Sequence, residues 1–98
     1  MNNKETMFTQ TVTPGKKGVR VNKAKYEIIQ KCILEVLGRY GEIAFQNLPA
    51  KVRTVLVEPF DGSIGWYTTT VKLDMERRGI IERIPGAKPQ RLRLVDKK

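Results

Sequence analysis

From Tyr26 to Tyr40 apolar residues recur at spacings of three and four: Tyr26, Ile29, Cys32, Ile33, Val36, Leu37 and Tyr40 form one broad stripe. That period predicts an amphipathic helix with a single buried face. Asn22 stands where its side chain can cap the helix, and Gly38 or Gly41 can supply the left-handed residue that ends it. Glu42–Phe45 reads as a very short strand. The segment QNLPAKVRTVLVEP then reads as a second helix, capped by Asn47 with Pro49 in its first turn. Leu48, Val52, Val55 and Leu56 share its inner face, and Pro59 marks its latest end.

After a turn at Phe60–Ser63, in which Asp61 or Ser63 can cap, a third helix is expected from about Ile64 to Arg78. It carries two apolar stripes. Ile64, Tyr67, Thr68, Val71 and Met75 form the first; Trp66, Thr70, Leu73 and Arg77 form the second. Gly79 ends the helix, and Arg77 and Arg78 suit the negative end of its dipole. The period then drops to two: IIERI and RLRLV flank PGAKPQ as a hairpin, with Leu92 and Leu94 inward and Arg91 and Arg93 outward. Residues 1–20 show little apolar period beyond a short extended stretch at Thr9–Thr13. The expected organisation is a flexible basic arm over 1–21 and one folded domain over 22–96, α+β in class and mainly α.

Charge sharpens this picture. The net charge is +9 over 98 residues, but residues 1–25 carry +5, 26–76 carry −2 and 77–98 carry +6. A basic excess also serves solubility alone; its concentration at both ends points instead to a polyanionic partner. No run of about 18 apolar residues exists to span a membrane, and the N-terminus lacks the apolar core of a signal peptide. A single cysteine forms no internal disulfide, which fits a reducing, cytoplasmic setting.

Catalytic chemistry finds few candidates. There is no histidine, which removes Ser–His and Cys–His arrangements and the common mixed zinc site. Cys32 lies on the buried stripe of the first helix and reads as a core residue. PGKKG lacks the spacing of a phosphate-binding loop and GSIG is no dinucleotide fingerprint. The chain is expected to be no enzyme and to need no cofactor or metal.

The stretch VKLDMERRGIIER resembles the end of the third helix in MarR-like and related bacterial regulators: Met75 in a leucine position, Gly79, an aliphatic pair at Ile80 and Ile81, then charged Glu82 and Arg83. GSIGWY also looks like part of an uncharacterised bacterial domain family. The first resemblance implies a winged helix-turn-helix fold, a three-helix bundle with a small antiparallel sheet and a C-terminal hairpin wing. It also implies a bacterial transcriptional regulator or nucleoid-type accessory factor that binds duplex DNA. Its third helix would enter the major groove and present Trp66, Thr69, Thr70, Lys72, Leu73 and Arg77. Lys88, Arg91 and Arg93 of the wing would meet backbone or minor groove, and Lys16, Lys17 and Arg20, with Lys23 and Lys25, adjacent phosphates.

Two features depart from that pattern. Asp74 and Glu76 would repel phosphate, and Trp66 and Leu73 are large apolar groups for a DNA-reading face. The Trp66, Thr70 and Leu73 stripe therefore has three readings: covered by the 58–63 connection or the arm, used as a homodimer or partner interface, or used as an apolar reader in the groove. Arg91 and Arg93 can instead pair with Glu82 across the hairpin. RNA is a further polyanion the same basic ends would suit.

Overall fold

A computed structural model describes residues 5–9, 18–57 and 59–95. They form a small, mainly helical α+β domain: β1 (Thr6–Phe8), β2 (Arg20–Asn22), α1 (Lys23–Tyr40), β3 (Glu42–Ala44), α2 (Leu48–Val55), α3 (Ile64–Arg77), β4 (Ile81–Arg83) and β5 (Arg91–Leu94).

Each helix starts and stops on local chemistry. The Asn22 side chain accepts from the Lys25 N–H at 3.0 Å at the head of α1, and at its end Gly41, at φ 82°, donates to the Leu37 carbonyl. Tyr26, Ile29, Cys32, Ile33, Val36 and Leu37 face the core as their spacing predicts. Tyr40 does not. It sits in the last turn, beyond the core, and its exposed ring instead receives the Lys51 ammonium at 4.8 Å.

A 3₁₀ turn over Phe45–Asn47 leads into α2, so Asn47 already has helical dihedrals and makes no side-chain cap bond. The expected Asn47 cap is thereby replaced by a continuous turn-to-helix path. Ser63 caps α3, its Oγ accepting from the Trp66 N–H at 3.0 Å. At the far end Gly79, at φ 77°, lets its own N–H reach the Glu76 carbonyl and the Ile80 N–H reach that of Met75. This paired closure satisfies two terminal carbonyls and turns the chain into β4.

Strands β3, β5 and β4 form an antiparallel sheet in that order, with Ile43 opposite Leu92 and Ile81 opposite Leu94. Ile43, Ile81 and Leu92 close the core from below, while Leu94 packs at its margin. Leu48 and Val52 of α2 and Val71 and Met75 of α3 complete it against α1.

Within the expected arm, β1 and β2 pair antiparallel and Val21 enters the core. Thr9 clamps this pair: its N–H and its hydroxyl each donate to the Val19 carbonyl at 2.8 Å. Of the extended stretch expected at Thr9–Thr13, all but Thr9 lies outside the described residues, and the strand observed is Thr6–Phe8.

Candidate nucleic-acid interface

Helical spacing puts Trp66, Thr70, Leu73 and Arg77 on one stripe of α3, away from Val71 and Met75. Trp66 is 48% exposed and Arg77 exposed, while Thr69, Thr70 and Leu73 are half-buried. Residues 59–63 of the connection leave the tryptophan half-exposed. Phe60 meets Tyr67 edge-on at 5.2 Å, and Tyr67 meets Trp66 at 5.0 Å, so the connection supports the stripe from behind.

Lys72 belongs to a different environment from the one expected. It is 1% exposed, its ammonium 3.1 Å from the Glu76 carboxylate and 4.4 Å from the centre of the Phe45 ring. It cannot reach a phosphate from there, and is removed from the DNA-facing set. Burial, only partly opposed by Glu76, lowers its pKa below the ordinary lysine value. Arg83 on β4 completes the cluster with two bonds to Glu76, at 2.8 and 3.1 Å, and this bonding raises its own pKa.

Asp74 is likewise inward. Its carboxylate accepts from the Tyr26 hydroxyl at 2.5 Å and from Arg78 Nε at 2.6 Å. Burial first, and then the neighbouring carboxylate, hold the Tyr26 phenol protonated well above its usual range. The two acids that would repel DNA are thus paired with cations inside the domain. Their i,i+4 spacing to Lys72 and Arg78 was visible in the sequence. Tyr26 and Phe45, which complete the burial, come from other elements.

On the hairpin, Lys88 is exposed in the turn. Arg93 sits in register between Glu42 of β3 and Glu82 of β4 and bonds Glu82 at 2.7 Å; Arg91 bonds Glu42 at 2.6 Å. Both pairs are solvated, and such pairs are worth about 0–1 kcal/mol, so exchanging their carboxylates for phosphates costs little. Of the cations expected to meet DNA, Arg20, Lys25, Arg77 and Lys88 have no ion-pair partner among the described residues; Lys16 and Lys17 lie outside those residues.

A shallow recess of about 420 Å³ opens where the stripe ends, lined by Phe8, Asp74, Arg77 and Arg78. Phe8 had no sequence signal, because it falls in an unpatterned segment and comes to line this recess only through the β1–β2 pairing. No helix among the described residues is long and apolar enough to cross a membrane, and they hold no cluster of metal-ligating side chains.

These features define a small α+β domain in which a third helix with a partly exposed outer stripe is followed by a basic hairpin. Residues 6–92 match the model of the Family of unknown function (DUF6958), and the chain belongs to that family. No curated protein and no solved structure matches the chain.

Proposed function

We propose that this chain is a winged-helix domain that binds duplex DNA, in keeping with a transcriptional regulator or nucleoid-type accessory factor. The order α1, β3, α2, α3, β4, β5 with β5 central in the sheet is compatible with that fold. One observation carries the functional reading: the outer stripe of α3 begins at the exposed Trp66, ends at the exposed Arg77, which has no ion-pair partner among the described residues, and runs into a hairpin bearing Lys88, Arg91 and Arg93. Docking is mainly electrostatic. Thr69 and Thr70 are the polar groups of the outer face that can meet base edges, while Arg77, Lys88 and Arg20 supply phosphate contacts.

Fluorescence anisotropy with a labelled duplex tests this. Affinity should fall steeply as salt rises, and Arg77→Ala or Lys88→Ala should each flatten the log–log slope by about one. Absence of binding at low salt would sink the proposal.

A second reading rests on Trp66, whose half-exposed ring on the same stripe as Leu73 suits a protein partner or a second copy. Concentration-dependent sedimentation abolished by Leu73→Glu supports it, and a monomer at high concentration counts against self-association.

A further inference from the structure

We infer that the recess at the C-terminal end of α3 takes an unpaired base of a strand leaving the duplex, so that the protein prefers junctions of double- and single-stranded DNA. This inference rests on the DNA-binding reading above. Trp66 and Arg77 lie on one stripe, 11 residues and roughly 16 Å apart along the helix axis. Arg77 is shared: it ends the stripe and lines the recess. DNA lying along α3 would therefore reach the recess without a break in contact.

The recess has the parts a single strand needs, an aromatic face and cations. Phe8 is half-exposed but not loosely held. A β-carbon on Gly18 would lie 2.9 Å from its ring and 1.8 Å from the Thr9 carbonyl oxygen, so the ring rests on bare backbone beside the Thr9 clamp. Arg78 is oriented by Asp74, which bonds its Nε, leaving the outer edge of its half-exposed guanidinium toward solvent. Arg20 is the Cα partner of Phe8 in the β1–β2 register, which places both side chains on the same face of the pair. The recess thus joins one supported ring to Arg77, which has no ion-pair partner among the described residues, and to Arg78, anchored by Asp74, with Arg20 opposite the ring on the paired strand. The volume falls within the range of small-molecule clefts, roughly 300–1,000 Å³. An acidic peptide would use the cations but not the aromatic face, nor the continuity with α3.

The test compares a blunt duplex with the same duplex bearing a six-nucleotide overhang of mixed sequence, both titrated with the full chain. Stacking one base corresponds to a gain of about five-fold or more for the overhang. Phe8→Ala should abolish that gain while leaving blunt-duplex affinity unchanged, which also reports that the variant is folded, and Phe8→Tyr should retain it. Equal affinity for the two DNAs overturns the inference, as does a gain that survives Phe8→Ala. If neither DNA binds, the underlying DNA-binding reading fails instead. An acidic peptide that binds and is lost in Phe8→Ala, with no overhang gain, assigns the recess to protein and also overturns the inference.

Discussion

Removing Glu76 and removing Lys72 should have very different consequences, although the two side chains form one ion pair. Glu76 is the hub. Its carboxylate holds the buried Lys72 ammonium at 3.1 Å and takes two bonds from Arg83. Glu76→Gln keeps the shape but leaves Lys72 charged and uncompensated against Phe45, a loss of about 3–5 kcal/mol. Lys72→Met removes the buried charge, and Glu76 keeps Arg83, so the cost should stay below about 1.5 kcal/mol. Urea denaturation followed by far-UV circular dichroism at neutral pH measures both. The pH dependence adds a second check. Burial already lowers the Lys72 pKa, and loss of Glu76 removes the main opposing influence. The folded variant then sheds its proton at lower pH than the unfolded chain, whose lysine titrates near 10.5. Between those points the unfolded state binds more protons, so stability rises with pH. The deficit of Glu76→Gln relative to wild type should therefore shrink toward alkaline pH. Equal costs for the two variants, or a deficit that grows with pH, would refute the reasoning.

Three further expectations follow from the same geometry. Because the Tyr26 phenol is held protonated in the fold, stability should decline as pH rises past the unfolded value of 10.0; Tyr26→Phe should remove that slope and cost about 1–3 kcal/mol at neutral pH by depriving buried Asp74 of a donor. Chemical denaturation at stepped pH reads both. Gly18→Ala forces a carbon into the Thr9 carbonyl, so the β1–β2 pair must open, at about 1–3 kcal/mol, with faster amide exchange at Thr9 as the direct readout. Arg91→Ala and Arg93→Ala break only solvated pairs and should cost under about 1 kcal/mol of stability, while each flattens the salt dependence of DNA binding by about one. A melting temperature strongly lowered by either arginine variant would contradict that assignment.

Much of the architecture was legible because the informative signals are local. The three-and-four spacing of α1, the Asn22 and Ser63 caps, Gly79 and the alternation of RLRLV each involve neighbours in sequence, and each appears where expected. The functional face was legible only in part. Arg77 and Lys88 are exposed as their positions suggest, but Lys72 was assigned outward on helix position alone. Charge type predicts exposure until a carboxylate and a cover meet the side chain: Glu76 supplies the carboxylate one turn along the same helix, and Phe45 and Arg83 close over the pair from the 3₁₀ turn and β4. Phe8 was missed for the opposite reason, and Arg20 was named only as part of an arm, since three-residue strands carry too little period to announce a pairing.

By itself, then, the sequence determined where the helices lie, how they end, and that positive charge gathers at the two ends of the chain. Those properties depend on backbone hydrogen bonds and side-chain spacing within a few residues. Only the tertiary structure decided which charges are available. It buried Lys72 and Asp74, set Arg91 and Arg93 against carboxylates of neighbouring strands, and brought Phe8 beside Arg77. The free energy of a charge depends on solvent and partners in space, which no local pattern encodes.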